Sequence, residues 1–196
     1  MTRNETAPEV QQTRRSFLGK LAVAAAALGA SRVVPGALAE AATSSKAWAS
    51  GMQLDIQFSV ATKASGRVKR PFVAVWIEDE SGKTVRTLTV WVQQRRLNPR
   101  WLEESLRRWT RDNGQLVSTV SSATRNPGTY AVAWDGKTDK NALAPQGDYY
   151  VCVESGREHG PYGLVRQKVS VGTSAFKKSL GADGDIEAVN VSFGKA

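Results

Sequence analysis

The chain has few of the residues that build covalent cross-links and metal centres: its 196 residues include one cysteine and one histidine. A lone cysteine, Cys152, excludes an internal disulfide, and its place in the apolar run at 149–153 predicts a buried strand position. A lone histidine cannot build a histidine-rich metal site. No glycine-rich phosphate loop opens a helix and no strand–helix–strand alternation occurs, so a nucleotide-binding α/β fold is not expected.

Strongly apolar runs long enough to cross a bilayer, about 20 residues, are also missing. The run at 21–30 is shorter and rich in alanine. It follows the pattern of a twin-arginine export signal, which consists here of Arg14, Arg15, Phe17, Leu18 and Lys20. We therefore expect residues 1–39 to be a signal peptide that directs the protein to the periplasm.

A small-x-small cleavage site ends this segment at Ala37 and Ala39. The mature chain is thus predicted to begin near Glu40, with retention of the segment as an anchor as the alternative. The full chain carries a formal charge of +9, and it stays basic when residues 1–39 are removed. Outside the cytoplasm, this charge favours an anionic membrane surface or an acidic protein over nucleic acid as partner.

The remaining chain alternates apolar and polar residues with the period of two that is typical of half-buried strands. After a flexible leader at 40–50, strands are predicted at 54–60, 72–77, 85–92, 116–120, 129–134, 148–154, 164–171 and 186–193. Turns rich in glycine and proline separate them. Many short strands joined in this way predict a single all-β domain over 51–196, an Ig-like antiparallel β-sandwich.

One segment has helical periodicity instead. Asn98 is a suitable N-cap and Pro99 suits a first helical turn, so we predict one inserted α-helix at 99–112. Charge spacing predicts pairs of residues 103 with 107 and 104 with 108. The side chains expected to pack this helix on the sandwich are Trp101, Leu102, Leu106 and Trp109.

Two resemblances support an exported β-sandwich. The stretches at 134–139 and 144–149 resemble the W-D-G and P-x-G turn pattern of the Ig-like domain in flagellar hook-cap proteins, which implies a fold only. More broadly, motifs at 73–79, 85–88, 122–125 and 157–162 follow the order found in the predicted periplasmic proteins called domain of unknown function 2271. That resemblance covers residues 53–195. It implies an extracytoplasmic redox setting with a PepSY-type inner-membrane protein as partner.

The segment 118–124 resembles the D-x-x-S-G-A-T motif on which flavin transferases attach FMN to the final threonine. Here that residue is Thr124, with Ser122 and Ala123 as its small neighbours. Ser118 stands where the motif has an acidic residue, and Ser122 stands where it has glycine. The resemblance implies a covalent FMN at Thr124, and an ordinary serine- and threonine-rich loop is the alternative.

A second cluster contains Arg157, His159 and Tyr162 around the turn at 160–161. These side chains suit either structural hydrogen bonds at a strand end or contact with a ligand or partner. His159 is a candidate general base, but no serine or cysteine nucleophile motif accompanies it. No catalytic residue and no metal ligand are therefore assigned.

Arginines alternate with tryptophans between residues 91 and 111, and the four that we single out are Trp101, Arg107, Arg108 and Trp109. One interpretation is cation–π packing on a solvated helix. The other is a docking face for an acidic membrane partner, or a contact with a flavin ring or phosphate.

Together these patterns predict a non-catalytic binding or accessory protein of the periplasm, since no acid–base or nucleophile constellation is present. Its cofactor is unknown, with FMN as the one that the motif implies. An electron-transfer protein with FMN on Thr124 and a structural partner of a membrane complex are the alternatives.

Overall fold

The computed structural model describes residues 46–61, 69–93 and 97–196. The predicted signal peptide, with its arginine pair and cleavage site, lies outside these residues, as do residues 40–45 of the predicted leader. Within the described part, no helix is both long and apolar enough to span a bilayer.

The described residues form nine strands in two sheets, which confirms the predicted all-β sandwich. The four-stranded sheet has the order β5-β1-β9-β8 and contains Gly128–Trp134, Met52–Val60, Ile186–Lys195 and Phe176–Asp183. The five-stranded sheet has the order β4-β3-β2-β6-β7 and contains Ser121–Ala123, Thr84–Val92, Phe72–Asp79, Gly147–Gly156 and Tyr162–Val171. Neighbouring strands are antiparallel except β3 and β4, which pair in parallel.

A dry aromatic and aliphatic core fills the space between the sheets. Trp134 is fully buried and lies 4.6 Å, centroid to centroid, from Trp48. The indole Nε1 of Trp48 donates a hydrogen bond to the carbonyl of Met52. Trp48 therefore places the start of the packed domain before residue 51, inside the segment predicted as a leader.

The helical segment lies on the outer face of the five-stranded sheet, opposite the dry core. It consists of α1 (Pro99–Ser105), α2 (Arg107–Asn113), a 3₁₀ turn (Gly114–Leu116) and α3 (Val117–Val120). Asn98 caps α1 through its side chain, as predicted. The single helix predicted at 99–112 is instead broken at Leu106, whose φ and ψ of −124° and 56° are not helical.

This break changes which side chains meet. Glu104 pairs with Arg100, and Arg108 reaches the sheet at Glu78, so the pairs predicted within one helix are not those observed. Leu102, Leu106 and Trp109 are buried against the outer face, as predicted. Trp101 was expected beside them, but its side chain is 39% exposed.

One predicted strand is helical, and two strands, β4 and β8, were not predicted. Residues 116–120, predicted as a strand, are helical, and Leu116, Val117 and Val120 pack on the outer face at helical spacing. Strand β8 was not predicted because it is an edge strand with exposed lysines and an irregular register.

Two register shifts in β3 interrupt the period-two alternation of its side chains. The pairing with β2 skips Leu88 and, nearer the start of the strand, Val85. Val85 and Trp91 therefore pack in the dry core, whereas the Thr87 hydroxyl accepts a hydrogen bond from Trp109 Nε1 on the outer face.

Candidate functional site

A groove of about 980 Å³ crosses the ends of the five-stranded sheet beneath α1. Its lining includes Thr124 just after β4, Gln93 after β3, Phe72 in β2, Gly156 in β6 and Tyr162 in β7. Because neighbouring strands are about 4.8 Å apart, five strand ends give the groove a length of roughly 19 Å. Its volume lies in the range of small-molecule binding sites.

The groove brings together most of the side chains that the sequence singled out. These are Trp101, Arg107, Thr124, Arg157, His159 and Tyr162. They come from three separate stretches of the chain, and the strand order places all three at one end of one sheet.

Three other candidates do not line it. Ser122 lies in β4, where its hydroxyl is 3.3 Å from the carbonyl of Val90. Trp109 is fully buried and Arg108 is half-buried, both between α2 and the sheet. Their roles in the described structure are therefore those of packing and support.

Arg108 belongs to a buried polar cluster on the outer face, centred on Glu78, which is 1% exposed. Glu78 accepts hydrogen bonds from Trp76 Nε1 at 3.0 Å and from the guanidinium groups of Arg108 and Arg166 at 2.8 Å. Arg166 also stacks on Tyr150, with 3.5 Å between the guanidinium carbon and the ring centroid. Two cations and an indole thus compensate one buried carboxylate, as a buried charge requires.

A second buried carboxylate, Glu154, connects the sheet to α2 and to the groove. It accepts the backbone N–H groups of Arg108 and Trp109 at 2.8 and 2.9 Å, and the Tyr162 hydroxyl at 2.8 Å. It therefore caps the N-terminus of α2, where Leu106 supplies no side-chain cap. Burial raises the pKa of Glu154 to about 7, and the hydrogen bonds from Trp109 and Tyr162 oppose that rise.

On the β6–β7 side of the groove, the charged side chains are already paired. Arg157 is nearly buried and forms an ion pair with Asp185 at 2.6 Å. Glu158 pairs with Lys69. His159 is 89% exposed and has a left-handed φ of 57° in the turn between these strands. Structural hydrogen bonding thus accounts for Arg157, one of the two interpretations that the sequence allowed.

On the β4–β3–β2 side, several polar groups are free. Thr124 is half-buried, and its hydroxyl has no partner among the described residues. Trp101 presents its exposed indole to the groove, with the Lys69 ammonium 5.8 Å from the ring centroid. This side retains the capacity to bind a ligand.

The lining residues that sequence reasoning missed on this side include Arg70, Phe72, Gln93 and Asn98. Each lies at the end of a strand or at a helix cap, where a local pattern indicates only a boundary. Their positions beside Thr124 depend on which strands are neighbours, and no local signal in the sequence gave that order. Among the described residues, no group of three metal-binding side chains is present.

These features define a β-sandwich with a groove at the strand ends. Residues 53–188 match the family described as "Predicted periplasmic protein (DUF2271)", and the chain belongs to that family. No curated protein and no solved structure matches the chain.

Proposed function

We propose that this protein is a non-catalytic binding protein of the periplasm, an accessory of a membrane-associated redox system, and that it acts through the strand-end groove. The groove takes a ligand with a flat aromatic ring and an anionic group. The observation that carries this proposal is the presence of an exposed indole, Trp101, in a groove whose Arg70 and Arg107 form no ion pair with a described residue. Aromatic faces bind flat rings by stacking, and arginine suits oxyanions.

The ionisable groups of the groove favour binding over catalysis. Arg157 and Glu158 are held in ion pairs, and His159 lies 3.6 Å from the Glu158 carboxylate. General acid–base catalysis needs a titratable group within hydrogen-bond reach of the reacting atom and a suitable partner. Here these groups stabilise the turn.

The proposed location depends on the export signal. The family description supports a place outside the cytoplasm, and a twin-arginine route supports export of the folded domain. Changing Arg14 and Arg15 together to lysine is expected to leave full-length precursor in the cytoplasm, as measured by cell fractionation and immunoblotting. Normal processing near Ala39 in that variant would contradict the route.

Ligand binding is tested with flavins, because their ring and phosphate match the two features of the groove. Titration of the purified protein with FMN is expected to quench flavin fluorescence, and Trp101→Ala is expected to abolish most of that effect. Trp48→Phe, which alters a tryptophan in the dry core, is the control. If FMN does not bind, the remaining alternative is a structural partner of a membrane complex, such as one with a PepSY-type protein.

A second function, covalent FMN on Thr124, is favoured by one observation: the free Thr124 hydroxyl lies in the groove just after β4. In the transfer step, the Thr124 oxygen forms a bond to the flavin-side phosphorus of a flavin dinucleotide. The pyrophosphate bond breaks, the nucleoside monophosphate leaves, and the hydroxyl proton passes to the transferase. Ser122, in contrast, is paired within β4.

This second function is tested by the intact mass of protein from a host with an active flavin transferase. An added FMN mass that disappears in Thr124→Val and persists in part in Thr124→Ser would support it. Wild-type protein at its calculated mass would exclude it, and the non-covalent binding function would stand.

A further inference from the structure

The groove has an uneven distribution of charge. Its two carboxylates are both compensated, because Glu158 pairs with Lys69 and Glu104 pairs with Arg100 at 2.8 Å. Arg157 is compensated by Asp185. Arg107 and Arg70 are the remaining cations of the described lining, and neither forms an ion pair with a described residue.

These two arginines differ in what holds them. Arg107 lies over the Tyr162 ring, with 4.5 Å between guanidinium carbon and ring centroid, and its Nε donates to the Glu104 carbonyl. Arg70 has no hydrogen bond, ion pair or ring contact with any described residue. Its five N–H donors therefore have no partner within the described part of the chain.

Strand pairing places two more free polar groups near Arg70. Val92 of β3 pairs with Ala123 of β4, so extending that parallel register by one residue sets Gln93 beside Thr124. Phe72, two residues after Arg70, starts β2, the strand next to β3. The Gln93 amide and the Thr124 hydroxyl also have no partner in the described structure.

We propose that Arg70, Gln93 and Thr124 form a subsite for the phosphate of an aromatic phosphate monoester whose ring lies against Trp101. This inference rests on the proposed binding function and names the chemical class of its ligand. A guanidinium, an amide N–H₂ and a hydroxyl are donors that suit phosphate oxygens, and a charge-assisted bond from arginine is the strongest of the three. The β6–β7 side does not provide such a subsite, because Arg157 is already paired with Asp185.

The test compares FMN with riboflavin, which differ in the phosphate alone, and with inorganic phosphate, which lacks the ring. FMN, riboflavin and inorganic phosphate are titrated by calorimetry into protein from a host without a flavin transferase, so that Thr124 is unmodified. We expect FMN to bind about tenfold more tightly than riboflavin, the factor expected of one charge-assisted hydrogen bond. Arg70→Gln should remove this advantage and leave riboflavin affinity unchanged. Arg111→Gln, an exposed arginine outside the groove, is the matched control and should preserve the advantage.

The outcomes separate the two proposals. Equal affinity for FMN and riboflavin, or an advantage that survives Arg70→Gln, would overturn the phosphate subsite and leave the ring-binding function intact. Binding of inorganic phosphate that depends on Arg70, without binding of either flavin, would overturn the aromatic ligand and support the subsite. Binding of none of the three would overturn both.

Discussion

Ile77 and Glu78 are neighbours in β2 and equally buried, yet they lie on opposite faces of the five-stranded sheet. Ile77 packs in the dry core against the other sheet. Glu78 faces the helical layer and is compensated by two arginines and an indole. The two faces of one sheet are thus stabilised by different kinds of interaction.

This difference explains how the groove is positioned. Packing of aliphatic side chains is not directional, so the inner face stabilises the sandwich without fixing the orientation of a neighbouring element. Hydrogen bonds to buried carboxylates are directional. Through Glu154 they hold both the start of α2, which carries Arg107, and Tyr162 in the groove wall. The outer face therefore positions the side chains of the groove, whereas the inner face stabilises the sandwich.

Ile77→Ala should have the largest effect, because it leaves a cavity in the dry core. We expect a loss of about 4 kcal/mol in the free energy of unfolding, measured by urea denaturation. The loss should be the same at pH 5 and pH 8, since no titratable group is involved. A loss that depends on pH would show that the two faces are coupled.

Glu78→Gln should cost less, about 3 kcal/mol, at the low end for breaking a buried ion pair. Arg108 and Arg166 are 17% and 30% exposed, so water can partly solvate them when the carboxylate is removed. Glu80→Gln is the matched control, because Glu80 is 65% exposed and pairs with Lys168 at the surface. Equal losses for the two variants would refute the role assigned to the buried cluster.

The buried carboxylate of Glu154, on the outer face, should make the free energy of unfolding depend on pH, which the packing of the inner face should not do. Its carboxyl has a pKa of about 7 in the folded protein, against 4.5 as its ordinary value. Between these two pH values the folded state binds more protons than the unfolded state, so this group lowers stability as the pH rises across that window. The contribution is on the order of 3 kcal/mol and is nearly complete above pH 7.

The measurement is the free energy of unfolding between pH 4 and pH 8 for the wild type and Glu154→Gln. The glutamine variant is neutral throughout, so the difference between the two proteins should change across the window and stay constant outside it. Parallel curves would mean that Glu154 titrates near its ordinary pKa, with the hydrogen bonds from α2 outweighing its burial.

The sequence predicted the inner face well and the outer face poorly, for a physical reason. Alternation with period two is a local consequence of one buried face, and together with runs of β-branched and aromatic residues it located seven of the nine described strands. The break at Leu106 depends on Glu154, which lies far along the chain and caps α2 from the sheet. The same holds for the groove: its arginines and tryptophans could be singled out as unusual, but Arg70 and Gln93 become neighbours of Thr124 only through strand order.

Thr87→Val should have the smallest effect, and it tests the outer face without changing volume. The Thr87 hydroxyl accepts a hydrogen bond from Trp109 Nε1 at 3.2 Å, and both side chains are buried. Valine removes the acceptor and leaves the indole N–H unpaired, which should cost about 1 kcal/mol in urea denaturation. On the inner face, the buried Trp91 Nε1 has no hydrogen-bond partner among the described residues. Thr87→Ser keeps the hydroxyl and loses a methyl group, so it should retain the hydrogen bond. The indole N–H resonance of Trp109 should therefore stay at its wild-type position in an NMR spectrum. If serine shifts that resonance as far as valine does, the bond contributes nothing, and the outer face is held at Trp109 by packing alone, as the inner face is at Trp91.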